Sequence, residues 1–386
     1  MRVIEGKSGV WYLGPGATLL LPSRFHDTAG ALTADGRAEL ARSGIEQPKP
    51  ARRYNLTVVT STACNLGCPY CFQNTGAAAP GRFDPPRIPR QVLDGPMIDR
   101  IADFTRARLH TAGLNRLFVL LFGGEPLLNR RGCRELLVRL GELAPLTASM
   151  VSNGVLLTAR AARQLEEVGL RSVQITLDGP RDLHDSTRFT RSGRGTFDKV
   201  LDNCAAAQQA TDLTLSLRLN TTADGLPLLD GLIDSLADRL DPARCTLDIA
   251  PVLNYAGMFD SVMDRSGEDV RTLLSAYGTA LDRGFVVGMP GGGSCGFCGE
   301  RDGETGAVIN ADGTLYSCWE TIGKPGYEVG SIDDGYHAYP AERWVSCGEF
   351  AVSETTAAQS QAFDDALTVG LLELIRDRRR SAVTVS

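Results

Sequence analysis

Three thiols fall within eight residues, Cys64-Asn65-Leu66-Gly67-Cys68-Pro69-Tyr70-Cys71, with three residues between the first pair and two between the second. They directly follow the apolar run Leu56 to Thr60, which reads as a buried strand opening into a loop. Thiolates are soft ligands that suit iron-sulfur and zinc centres. An iron-sulfur cubane held by only three thiolates keeps one iron open to a reactant. Structural zinc usually completes four ligands, and no histidine or further cysteine stands near Cys71. A disulfide framework would leave one thiol over, and no secretory segment precedes the motif.

This Cys-x3-Cys-x-aromatic-Cys loop after a first strand resembles the signature of the radical S-adenosylmethionine (radical SAM) superfamily. The resemblance implies a partial (β/α)6 TIM barrel. It also implies a [4Fe-4S] cluster on Cys64, Cys68 and Cys71, with S-adenosylmethionine (AdoMet) on the open iron and Tyr70 beside it.

The 386 residues carry a net charge of −6 and are 43% hydrophobic, which suits a globular protein of two or three domains. The only basic block is Arg376 to Arg380, so no nucleic-acid partner is expected, and the run reads as a solvated helix end. No apolar run approaches the length of about 18 residues that spans a bilayer, and Met1 to Glu5 does not open a signal peptide. The expectation is a cytoplasmic protein with no membrane partner. In a reducing compartment ten cysteines point to metal or redox chemistry. Seven fall in two clusters; Cys133, Cys204 and Cys245 read as core residues.

Residues 1–52 form an N-terminal appendage. Gly9 to Leu13 and Ala17 to Leu21, around Gly14-Pro15-Gly16, read as a hairpin. A helix over Leu32 to Leu40 with Thr33 as cap follows, and Pro48 and Pro50 mark a linker. This element is either a packing unit or, as in members of the resembled family that act on ribosomal peptides, a peptide-docking element. Residues 53–284 alternate apolar runs with amphipathic stretches, the pattern of repeated βα units. The expected strands are Leu56 to Thr60, Arg116 to Phe122, Ala148 to Ser152, Ser172 to Thr176, Thr214 to Asn220 and Thr246 to Pro251. Helices are expected between them, over Pro96 to Ala112, Arg131 to Leu143, Ala159 to Val168, Thr196 to Gln209 and Leu228 to Leu240, and again within Gly257 to Arg283.

Sites in such folds lie at the carboxyl ends of the strands. Gly123-Gly124-Glu125 ends the second strand: it reads as a turn or, following the family, as the motif for the methionyl amino group. Ser152 and Asn153 end the third strand on the cofactor side. The fourth leads into Leu177-Asp178-Gly179-Pro180, then His184, Asp185, Arg188 and Gly193 to Asp198, a run that resembles radical SAM enzymes that mature peptides and proteins. Thr176 stands where some of these use a serine on the cofactor. Arg188 suits the cofactor carboxylate as a charged fork or, alternatively, pairs with Asp185. His184 reads as a capping or core residue, with general base as the other role. Arg218 and Asn220 share a strand face and are further cofactor candidates. Asp248, in an otherwise apolar strand, is costly to bury unless paired or working, and is either a substrate-side base or structural.

The second cluster holds Cys295, Cys298, Cys318 and Cys347, with Ala307 to Cys318 reading as a hairpin turned by Asp312-Gly313. Four thiolates fit zinc or iron-sulfur. Residues 285–350 resemble the auxiliary-cluster domains called SPASM or twitch, which implies one auxiliary [4Fe-4S] cluster. Residues 351–386 carry a C-terminal helix over about Ala362 to Arg379 that packs back on the protein.

The resemblance therefore implies an oxidoreductase that cleaves AdoMet to a 5′-deoxyadenosyl radical and abstracts hydrogen. The first expectation is a maturase that oxidises or cross-links a precursor peptide, with electrons from a donor such as a flavodoxin or ferredoxin. The alternatives are a sulfatase-maturing enzyme, a small-molecule dehydrogenase of the aminocyclitol type, and a non-enzymatic zinc-stabilised binding module.

Overall fold

The computed structural model describes residues 1–14, 17–47, 51–252, 263, 265–288, 301–340, 343–345 and 357–384. It opens with an antiparallel sheet of β1 (Arg2–Gly6), β2 (Gly9–Gly14) and β3 (Ala17–Leu21), in that order. β2 and β3 are the expected hairpin, paired from Val10 with Leu21 to Gly14 with Ala17. β1 is additional; its five residues alternate between half-buried and exposed, a weak apolar signal. α1 (Ala34–Ser43) starts where Thr33 caps it, its hydroxyl accepting from Gly36 N at 3.1 Å, and stops at left-handed Gly44.

The six expected barrel strands are all present and parallel: β4 (Tyr54–Ser61), β5 (Leu117–Gly123), β6 (Leu146–Ser152), β7 (Leu170–Leu177), β8 (Thr214–Thr221) and β9 (Cys245–Pro251). A short β10 (Val286–Val287) lies parallel beside β9. The helices are α2 (Gly95–Ala112), α3 (Arg130–Gly141), α4 (Ala159–Glu166), the short and unanticipated α5 (Arg181–Thr187), α6 (Phe197–Ala210), α7 (Leu229–Ala237) and α8 (Gly267–Asp282). β4 and β5 are buried almost throughout, whereas residues of β6 to β9 mostly alternate in burial. Val173, Ile175, Leu217 and Leu247 are buried, whereas Ser172, Gln174, Thr176, Ser216 and Arg218 are only half-buried. The first set builds the core and the second lines the lumen. Cys133, Cys204 and Cys245 are fully buried, as expected.

β11 (Gly306–Ile309) and β12 (Thr314–Tyr316) form the Asp312-Gly313 hairpin, with Gly313 at φ +86°. β11 also pairs in parallel with β4, from Gly306 with Asn55 to Ile309 with Val58. With β13 (Glu328–Ser331) and β14 (Gly335–Tyr336) it extends the barrel into one eleven-stranded sheet. Within the second cysteine cluster, Cys318 is described and buried, while Cys295, Cys298 and Cys347 lie outside the described residues. The Pro48 to Pro50 linker, Pro15-Gly16 and most of Gly257 to Asp264 lie outside them too.

α9 (Ala357–Thr384) packs on α8, where Arg378 pairs with Asp282, and on the N-terminal sheet. Leu372 is fully buried with Trp11 and Leu13, and Arg2 pairs with Asp365. Among the described residues no helix is long and apolar enough to cross a membrane. Leu372→Ala removes the centre of this clasp, and we expect it to cost about 2–5 kcal/mol in urea unfolding of the full chain. Unchanged stability would mean the clasp contributes nothing.

Candidate active site

The cysteine loop leaves β4 and lies on the end of β5. Gly124 N donates to Ser61 O and Glu125 N to Ala63 O, both at 2.9 Å. A Cβ on Gly124 would stand 2.5 Å from the carbonyl oxygens of Thr62 and Ala63, and Gly123 sits at φ +141°. Both glycines thus permit a close approach of backbone to backbone. The Glu125 carboxylate is fully buried: Oε1 accepts from Leu127 N (3.0 Å) and Ser152 Oγ (2.9 Å), and Oε2 from Asn153 N (2.8 Å). Burial, opposed by these bonds, holds its pKa above the usual carboxylate range. Ser152 is therefore tied to Glu125. Asn153 reaches the loop instead, donating from Nδ2 to Asn65 Oδ1 at 2.9 Å and lying 3.7 Å from Cys64 Sγ.

The opposite wall is built at the ends of β7 and β8. Asp178 accepts from Tyr70 OH (2.6 Å), Thr187 Oγ1 (2.8 Å) and Asn220 Nδ2 (3.1 Å). Arg188 donates to Tyr70 OH at 2.6 Å and lies 3.9 Å from Asp178. Asp185 instead accepts from Thr196 N and Phe197 N at the start of α6, so the alternative Arg188–Asp185 pair does not form. Thr176, Arg218 and Asp248 occupy one row across β7, β8 and β9. Asp248 is paired, as an acid in this strand was expected to be unless it works as a base. It is 55% exposed and paired with Arg218 at 3.1 Å, because alternate residues of β9 face the lumen rather than the core. Sequence reasoning left Asp178 without a role; its one signal was an acid capping an apolar strand before Gly179-Pro180.

His184 takes its expected core role. It is fully buried, its Nδ1 accepting from Asp178 N at 3.3 Å while Nε2 meets Thr196 Oγ1 at 3.1 Å. Burial, with Arg188 nearby, lowers its pKa to about 3. Below the strand ends, Ser149, Ser172, Gln174, Ser216, Thr246 and Trp319 line part of a cavity of about 350 Å³. Trp319, next to Cys318, stacks on Phe122 at 5.2 Å, and Phe122 meets Phe72, next to Cys71, at 6.4 Å.

The Radical SAM superfamily profile matches residues 58–220. A GTP 3′,8-cyclase of Xanthomonas axonopodis pv. citri is 30% identical over 295 residues, spanning 70% of this chain and 80% of that protein. The chain belongs to the radical SAM superfamily. A probable GTP 3′,8-cyclase of Methanocella arvoryzae is 30% identical over 211 residues, spanning 53% of this chain and 59% of the relative. Native anSMEcpe with bound AdoMet shares the fold, with a TM-score of 0.60 at 17% identity over 83% of this chain and 98% of that one.

Membership in the radical SAM superfamily implies a [4Fe-4S] cluster and AdoMet; thiols are the donors an iron-sulfur centre takes, and among the described residues no three of His, Cys, Asp or Glu already converge as a metal site. Three thiols share one loop, and Cys64 Sγ accepts from Leu66 N at 3.4 Å. Burial pushes the Cys68 thiol up to about 12 against the opposing charge of Arg188.

Two tests follow from this geometry. Gly124→Ala drives a Cβ into two backbone carbonyls, and a loss of about 1–3 kcal/mol is expected in thermal unfolding of the metal-free chain. Native-like stability would show that the loop yields cheaply. His184 binds fewer protons folded than unfolded between its ordinary 6.5 and about 3. Its contribution is therefore intact above that window and lost as pH falls through it, by about 2 kcal/mol at pH 5. His184→Asn should flatten this part of the stability profile, and an unaltered slope would refute the assignment.

Proposed function

We propose that this chain abstracts a hydrogen atom from a side chain of a ribosomally made precursor peptide, ending in an oxidation or a cross-link. Cys64, Cys68 and Cys71 would hold the [4Fe-4S] cluster, which with AdoMet supplies a 5′-deoxyadenosyl radical. Arg188 offers its Nε, buried and without a hydrogen-bond partner, to the AdoMet carboxylate. Tyr70, Asn153, Thr176 and Asn220, with the Gly123 to Glu125 backbone, would supply the remaining contacts to AdoMet. Glu125 and Ser152 hold that backbone in place. Asp248 stands nearest solvent, where a peptide side chain would enter, and serves as base. Cys295, Cys298, Cys318 and Cys347 would hold one auxiliary [4Fe-4S] cluster that accepts the electron left on the substrate, and a flavodoxin or ferredoxin would supply the first electron.

The observation that carries the peptide reading is the charge balance of the lumen. Among the described residues at the ends of β7 to β9, Arg188 stands opposite Asp178 and Arg218 opposite Asp248. Arg218 is engaged by Asp248, and Arg188, beyond its contact with Asp178, keeps one Nε for the AdoMet carboxylate. An uncharged side chain suits such a wall better than a triphosphate does. The N-terminal sheet supports the same reading, since β3 is an edge strand whose backbone can pair with an extended peptide. The second reading is a GTP 3′,8-cyclase activity, favoured by the 30% identity to such enzymes.

Anaerobically reconstituted enzyme with AdoMet and reductant separates the two. A ribosomally made precursor peptide that serves as substrate should lose two hydrogens per modification, seen by mass spectrometry, with 5′-deoxyadenosine as co-product. A cyclised product from GTP, with the peptide unchanged, would overturn the peptide reading.

A further inference from the structure

We propose that Asp178 is a positioning residue for the cysteine loop, setting where Tyr70 and Arg188 stand. This holds whichever substrate the enzyme takes. Two side-chain anchors of the Cys68-Pro69-Tyr70-Cys71 turn differ in kind. One is local: Asn74 Nδ2 donates to Cys68 O and Pro69 O, both at 3.0 Å. The other crosses the barrel mouth, where Tyr70 OH donates to Asp178 Oδ2 at 2.6 Å while accepting from Arg188 Nη1 at 2.6 Å. Tyr70 lies between the second and third thiols, so fixing its ring fixes the backbone that aims both.

Asp178 is itself held on every side. Thr187 Oγ1 and Asn220 Nδ2 donate to its two oxygens, at 2.8 and 3.1 Å, and its backbone N–H donates to His184 Nδ1 at 3.3 Å. Asp178 is 8% exposed and the Arg188 side chain 11%. A carboxylate and a guanidinium so far from water persist only as partners, and removing either leaves the other uncompensated. Asn220 extends the chain of bonds: its Oδ1 accepts from Arg218 Nε at 3.2 Å, and Arg218 reaches Asp248. One run of hydrogen bonds thus joins the cysteine loop to the β9 wall.

The test uses the full chain with Asp178→Asn, Asp178→Glu and Tyr70→Phe. In metal-free protein, mass spectrometry follows the alkylation rates of Cys68 and Cys71 against that of Cys64, which Asn153 and Arg191 hold separately. In reconstituted protein, 5′-deoxyadenosine formation is measured across AdoMet concentrations. Asp178→Asn and Tyr70→Phe should both speed alkylation of Cys68 and Cys71 but not Cys64. Both should slow AdoMet cleavage about tenfold to a hundredfold, and Asp178→Glu should recover part of each loss. If Asp178→Asn does not fold, Tyr70→Phe decides, since it cuts the same link without stranding a charge. Wild-type alkylation and cleavage rates in Tyr70→Phe, or a lowered melting temperature in Asp178→Asn with both rates unchanged, would overturn the proposal.

Discussion

Two backbone hydrogen bonds, Gly124 N to Ser61 O and Glu125 N to Ala63 O, press the start of the cysteine loop onto the end of β5. The features around the loop depend on this contact. Because the loop lies flat there, Glu125 turns inward and spends its buried carboxylate on Leu127, Ser152 and Asn153. That locks the end of β6 and lets Asn153 reach back to Asn65 beside the first thiol. A buried carboxylate is stable only when its acceptor sites are filled by donors, so the arrangement is all-or-none. The glycines are required by the main chain before any ligand arrives.

The barrel was legible in the sequence because apolar runs such as Leu117-Phe118-Val119-Leu120-Leu121-Phe122, too short for a core helix and repeated between amphipathic stretches, fit strands of a parallel sheet buried on both faces. Their carboxyl ends were legible for the same reason; of the residues singled out there, Glu125 and His184 are buried supports, while Arg188 and Asn220 join Asp178 in one bonded group. What escaped was mostly non-local. The parallel pairing of β11 with β4 joins residues about 250 positions apart, and no local pattern encodes such a partner. The exposure of Asp248 was not legible, because an apolar strand looks the same whether its alternate residues meet helices or a lumen. Asp178 sat inside a quoted motif without a role, since the phenol it holds comes from a loop 108 residues earlier.

The parallel docking of β11 also bears on how the second cysteine set relates to the first. A hairpin tethered to the barrel only by a linker would place Cys318 anywhere within reach. Hydrogen-bonded along β4, the strand that carries the cysteine loop, the hairpin delivers Cys318 and Trp319 to a fixed place against the lumen. The stack of Trp319 on Phe122, and of Phe122 beside Phe72, then fills the space between the two loops with flat rings. Offset stacking of this kind contributes about 0.5–1.5 kcal/mol per pair beyond area burial. The indole therefore lines the lumen beside Phe122, with Cys318 next to it in the chain.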